Sequence, residues 1–366
     1  MTAARWRHVI LWLTPVVLAL LCGMLLLMAV GAPPLEAYGQ ILQGAFASYA
    51  KVADVTAFWV PLLLSASGLL LTFTAGLWNI GIEGQMAMGA IWATAIALHV
   101  RLPAIVQVPL EIVAAVVGGA LWAMVAAWLR NAANVNEIFS GTALNFLAVN
   151  LTTWLVSGPW QPPEGGSVHS TPIFGAHAVI PTIAGLRLSW VALGVAILGF
   201  VAAWVALRGT RWGLRLRAMG HSRASAHILG VRVERETVLA MAACGALGGA
   251  AGAMRALGTY QSLRPLISGG IGFLALLVVM LSSLRIVWLP FIAFFFAAII
   301  TGSQRLNLVM QLDDSLGGVL QGLLVLFALL TGGLRARLET RGAVEASATA
   351  ASTKPGPTLG QGEAAP

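Results

Sequence analysis

Ten apolar runs separated by short, arginine-rich connections constrain this chain more than any other feature. They fall at about 9–31, 58–75, 86–100, 110–129, 137–157, 188–207, 237–257, 267–284, 286–302 and 316–332. A helix needs about 20 apolar residues to cross a bilayer, and only helices or closed barrels satisfy every backbone group in hydrocarbon. None of the runs alternates with the period of two that a barrel strand requires, so helices are predicted. The expected fold is an all-α polytopic membrane protein of about ten transmembrane helices, solvated by membrane lipid. Composition agrees, with 58% hydrophobic and 9% charged residues, against about 25% charged in soluble proteins.

The basic residues set an orientation. Arg5, Arg7 and His8 precede the first run, which exceeds the 7–15 residues of a signal-peptide core and leads into Pro33 and Pro34. It is expected to be a spanning helix that starts in the cytoplasm. Ten crossings then put both termini in the cytoplasm. Of the 21 Lys and Arg residues, 15 fall on the inner side. The outer side and its helix ends hold Lys51, Arg101, Arg187, Arg255, Arg264 and Arg305. That bias has the sign of the positive-inside effect. Residues 1–335 form the membrane domain, with a cytoplasmic segment at 208–236. Residues 336–366, rich in Ala, Ser, Thr, Gly and Pro, are expected to be a disordered tail.

Several function classes are disfavoured. The net charge of +8 sits in connections between apolar runs, with no basic stripe interleaved with aromatics for nucleic acid. Cys22 and Cys244 lie inside apolar runs and suggest neither a disulfide framework nor a metal site. Lys51 and Lys354 are the two lysines, and neither closes a phosphate loop. The chain has no such ATPase of its own, and it lacks the H-E-x-x-H and G-x-S-x-G patterns of hydrolases. No enzyme activity and no cofactor is expected.

Three segments break the apolar pattern. Ala75–Gln85 must turn the chain, yet holds three glycines and no Lys or Arg. Non-helical backbone at such depth must be covered by protein or line a water-filled cavity. Asn79, Glu83 and Gln85 therefore either satisfy a tight turn or contact a translocation path, and an ionisable Glu83 is a functional candidate by default. In the second segment Asn136 is a candidate N-cap, with Glu137 in the first turn of the following helix. Asn145, deeper in that helix, needs a partner across helices or a polar substrate. In the third, Ser222 can cap a short helix from Arg223 to Leu229 that Gly230 ends. Ala224, Ile228 and Val231 give it an apolar face flanked by Arg223, His227 and Arg232, suited to the membrane surface or a groove on a partner.

These segments carry a family resemblance. Trp78-Asn79-Ile80-Gly81-Ile82-Glu83-Gly84-Gln85-Met86 resembles the N-I-G-x-E-G-Q-M signature of permease subunits in bacterial ABC importers of simple sugars and nucleosides. Val135-Asn136-Glu137-Ile138 with Leu144-Asn145-Phe146 is similar to the nucleoside branch. The stretch Arg215-Leu216-Arg217-Ala218-Met219-Gly220, then Ala224, Ala226, Gly230 and Val231, is similar to the family's coupling segment. The chain departs from the family pattern in two places: in the coupling segment Ala224-Ser225-Ala226 replaces adjacent alanines, and after Gly270 the stretch Ile271–Leu276 differs from the usual G-[YF]-x-x-I-A-V-A-L.

The resemblance implies a permease in the bacterial cytoplasmic (inner) membrane, paired with a second permease, ABC ATPase subunits and an extracytoplasmic substrate-binding protein. It implies alternating access, ATPase coupling through Arg215, Arg217, Gly220, Ser222, Arg223, Ala224, His227, Ile228 and Gly230, and a path near Asn79, Glu83, Gln85, Asn136 and Asn145. It further suggests an inverted repeat of helices 2–5 and 7–10, with Gly258–Gly270 as counterpart of the break at 76–85. The rival expectation is a secondary transporter using Glu83 as its ion site.

Overall fold

A computed structural model of the chain describes residues 17–162, 170–183, 185–312, 316–323, 325–328 and 330–331. Arg5, Arg7 and the tail at 336–366 lie outside them. The helices run α1 (Val17–Ala29), α2 (Pro34–Phe46), α3 (Tyr49–Thr74), α4 (Ile82–His99), α5 (Ala104–Ala133), α6 (Glu137–Ser157) and α7 (Trp190–Gly209). There follow α8 (Arg211–His221), α9 (Arg223–Ile228), α10 (Val233–Ala253), α11 (Ile271–Leu281), α12 (Leu289–Met310) and α13 (Leu316–Ala328). No strand occurs among the described residues.

Six of these elements are long and apolar enough to cross a membrane: α3, α5, α6, α7, α10 with its π-helical continuation to Tyr260, and α12 with the turn before it. The pair α1 and α2, bent at 112°, adds a seventh if counted as one span. Of the remaining runs, that at 316–332 is described as the shorter helix α13, and the other two fall short for identifiable reasons. α4 has 18 residues but opens on Glu83 and Gln85. The run at 267–284 shrinks to the 11 residues of α11, roughly 16 Å of rise and half a bilayer. Positive φ at Gly269 and Gly270 delays its start, and positive φ at Ser283 and Leu284 stops it.

The sequence patterns did not anticipate α2. Pro34 at its first turn suits a helix start, and Gly44 lets it approach α12 closely. A Cβ on Gly44 would stand 2.5 Å from the Gly302 carbonyl oxygen.

The centre of the bundle is built on α3 and α10, which pack on each other. α3 also meets α7, α11 and α12, and α10 also meets α4 and α5. The α5–α10 seam is made of small residues, as expected where lipid offers no hydrophobic drive and close backbone packing must supply cohesion. A Cβ on Gly249 would lie 2.1 Å from the Ala115 carbonyl oxygen, and one on Gly119 2.2 Å from that of Gly245.

Candidate functional site

The break between α3 and α4 buries its polar side chains Asn79 and Gln85, which bond to each other, while Trp78 stays exposed. Gly76 adopts φ +71°, and the chain runs on to Gly81 before α4 begins. Asn79 Nδ2 donates to Gln85 Oε1 at 3.1 Å, and Gln85 Nε2 donates to Asn79 Oδ1 at 3.0 Å. Asn79 also donates to Cys244 Sγ on α10 at 3.1 Å. Asn145, on α6, clamps the turn from the other side. Its Oδ1 accepts from the Gly84 N–H at 2.8 Å, and its Nδ2 donates to the Ile80 carbonyl at 2.9 Å. The sequence reasoning required a cross-helix partner or a polar substrate for Asn145; here the partner is the turn itself.

Glu83 joins the two interrupted segments. Its Oε1 accepts from the Phe273 N–H at 3.1 Å, and Gly272 and Ser268 lie beside the carboxylate. A carboxylate at the open N-terminus of α11 satisfies orphan donors and meets the positive end of the helix dipole. The fit is close: a Cβ on Gly272 would stand 2.9 Å from Glu83 Oε1.

Beside this cap lies a cluster that the sequence patterns did not single out. Arg255, assigned above to the outer side and helix ends, is only 7% exposed. It donates to the Tyr260 hydroxyl at 2.6 Å and to the Ile267 carbonyl at 3.3 Å. Its guanidinium lies over the Tyr260 ring at 4.6 Å, and Arg264 stacks on the same ring at 4.8 Å. An arginine inside an apolar run was the available signal, but its neighbours are set by the π-helical turn at Met254–Tyr260.

At the other end of the turn, Asn136 caps α6 by accepting from the Ile138 N–H at 2.8 Å. Glu137 does more than meet the dipole: Oε1 accepts from the Trp78 N–H at 3.2 Å, and Oε2 is ion-paired with Arg130 of α5. One carboxylate therefore ties α5, α6 and the turn together.

The arginine-rich segment reaches the same turn. Thr210 caps α8, its hydroxyl accepting from Gly213 N–H at 3.1 Å. Arg215 pairs with Glu236 at 3.0 Å, Arg217 donates to the Leu207 carbonyl, and His221 Nδ1 meets the Arg217 carbonyl at 3.2 Å. Gly220 packs backbone to backbone on the end of α3, where an added Cβ would lie 2.2 Å from the Thr74 carbonyl oxygen. Ser222 caps α9 by accepting from Ser225 N–H at 3.2 Å, and Gly230 follows with φ +81°. Within α9, Ala226 is buried against the bundle, while Ala224, His227 and Ile228 face outward with Leu229 after them. Ile228 is 84% exposed.

Residues 51–329 match the family described as the branched-chain amino acid transport system, permease component. The chain belongs to this permease family. It is similar to the glucose ABC transporter permease protein TsgB13 of Haloferax volcanii, 31% identical over 337 residues, with 88% of each chain covered. It also resembles two Bacillus subtilis proteins. The guanosine ABC transporter permease protein NupP is 24% identical over 93% of this chain and 99% of its own. The guanosine ABC transporter permease protein NupQ is 28% identical over 59% and 70%. In this permease, therefore, the polar turn, the Glu83 cap and the arginine-rich segment are parts of a transport subunit.

Proposed function

We propose that this permease translocates a nucleoside or simple sugar across the bacterial cytoplasmic membrane by alternating access, driven by ATP hydrolysis on a separate ATPase subunit. The contact of Gly220 with the end of α3 at Thr74 and Gly76 carries this reading. It joins the segment that would dock on the ATPase to the turn that would border the path, without an intervening element. Motion of α8 and α9 would then move Ala75–Gly81 directly.

In this reading Asn79, Glu83, Gln85, Asn136 and Asn145 shape the wall of the path and hold its turn, while Arg215, Arg217, Gly220, Ser222, Arg223, Ala224, His227, Ile228 and Gly230 form the coupling surface. The inverted-repeat expectation is supported by the Glu83–Phe273 bond, which joins one interrupted segment to the end of the other; such repeats set substrate at broken helices. Partnership with a second, homologous permease is supported by the likeness of this one chain to both NupP and NupQ. An extracytoplasmic binding protein would deliver substrate on the other face.

The test is uptake of radiolabelled guanosine and glucose by proteoliposomes holding the permease pair, ATPase and binding protein. Internal ATP should drive uptake of one of them, and vanadate should stop it. Uptake driven by a pH gradient without ATP would establish the secondary-transporter alternative through Glu83 instead.

A further inference from the structure

A polar cavity of about 470 Å³ lies where α5, α6, α9 and α10 converge, lined among others by Arg130, Asn136, Glu137, Arg223 and Glu234. Two guanidiniums share it with one buried carboxylate. Arg130 holds Glu137 in an ion pair, and Arg223 lines the same cavity. Arg223 Nη2 is buried without a hydrogen-bond partner among the described residues. Burial also holds the Arg223 guanidinium below its ordinary pKa. A charge donor left unpaired in a partly desolvated cavity is costly, and like charges side by side add to that cost.

Glu137 is the group that could relieve both. Its other oxygen accepts from the Trp78 N–H, so whatever moves this carboxylate also moves the turn. The second carboxylate of the cavity, Glu234, is exposed.

We infer that Arg130 and Arg223 are alternative partners of Glu137, and that exchange between them is how α9 acts on the Trp78–Gln85 turn. Arg223 is on this view a positioning residue, working through Glu137. In the arrangement described, Arg130 has the carboxylate and Trp78 is tethered. When α9 shifts, Arg223 takes Glu137 from Arg130 and the Trp78 tether loosens. No bond is made or broken beyond these polar contacts. The transport role of the exchange rests on the importer reading above, whereas the exchange itself does not.

The purified full chain in detergent tests the exchange through its thermal unfolding midpoint. With two alternative partners, Arg130→Gln should lower the midpoint little because Arg223 takes over Glu137, Arg223→Gln should leave it unchanged or raise it, and the double variant should lower it by more than the sum. Adding Glu137→Gln to the double variant should restore much of the loss, because it removes the orphaned charge. A double variant no worse than Arg130→Gln alone, or a strictly additive one, would overturn the exchange. Arg130→Lys serves as the milder variant if Arg130→Gln does not fold.

The transmitting role is then tested as uptake per ATP hydrolysed in the reconstituted complex. Arg223→Gln should reduce that ratio several-fold and Arg223→Lys should recover part of it. An unchanged ratio, or an equal loss with Glu234→Gln, would overturn the role assigned to Arg223. Absence of ATP-driven uptake by the wild-type complex would instead remove the importer reading, and the midpoint comparison would still decide the exchange.

Discussion

The Glu83 carboxylate accepts a hydrogen bond from the Phe273 N–H at 3.1 Å, across 190 residues of sequence. The first turn of α4 thereby caps the start of α11, a helix whose glycine-rich approach leaves its donors exposed. Buried donors that lose an acceptor keep the full cost of desolvation, about 1–3 kcal/mol each. Glu83→Ala should therefore lower the unfolding midpoint in detergent substantially. Glu83→Gln, which keeps one acceptor oxygen, should lower it less. Equal midpoints for the two variants would contradict the capping role.

Asn79 and Gln85 use each other's amides in both directions. Side chains sharing a bonded pair typically couple by about 0.5–3 kcal/mol in double-mutant cycles. The combined Asn79→Ala and Gln85→Ala variant should be markedly less destabilised than the two single losses added together. Simple additivity would mean that each residue is held by other groups.

The α5–α10 seam has no room for a methyl group at Gly249, where the nearest atom is the Ala115 carbonyl oxygen at 2.1 Å. Overpacking a tight core costs about 1–3 kcal/mol, and here the obstacle is backbone. Gly249→Ala should reduce the yield of monodisperse protein on size exclusion. The same change at Gly194, where an added Cβ meets nothing within 4 Å, should not.

Ser222 and Gly230 bracket α9. Losing an N-cap costs about 1 kcal/mol, and a non-glycine residue in the left-handed region roughly 1–2 kcal/mol. Ser222→Ala and Gly230→Ala should fray α9 without moving the global midpoint, because little of that helix is buried. Pull-down of the ATPase should weaken several-fold. Undiminished ATPase retention would show that α9 is not the docking element.

Much of this was legible in the residues because local chemistry dictated it. Ser222, Asn136 and Gly230 sit where capping and left-handed geometry require such residue types, and the boundaries of α6 and α9 follow from them. The glycine interruption at Ala75–Gln85 announced itself against an apolar background. What the patterns missed depends on distant partners. The run at 267–284 is uniformly apolar, yet α11 starts late because Gly269 and Gly270 turn the chain and Glu83 supplies its cap. Arg255 counted as an outer charge because sequence alone does not show the Tyr260 ring beneath it. α2 escaped notice because it is short and amphipathic, and its partner α12 is distant in sequence.

The central claim is that the arginine-rich segment faces the ATPase in the cytoplasm, and α9 offers the most direct test. Ile228→Cys puts a thiol at a site that is 84% exposed, against a background of buried Cys244 and half-buried Cys22. A membrane-impermeant maleimide should label it in inverted vesicles and not in intact cells, and bound ATPase should protect it. Labelling from outside intact cells would contradict the orientation, the docking surface and the importer mechanism together.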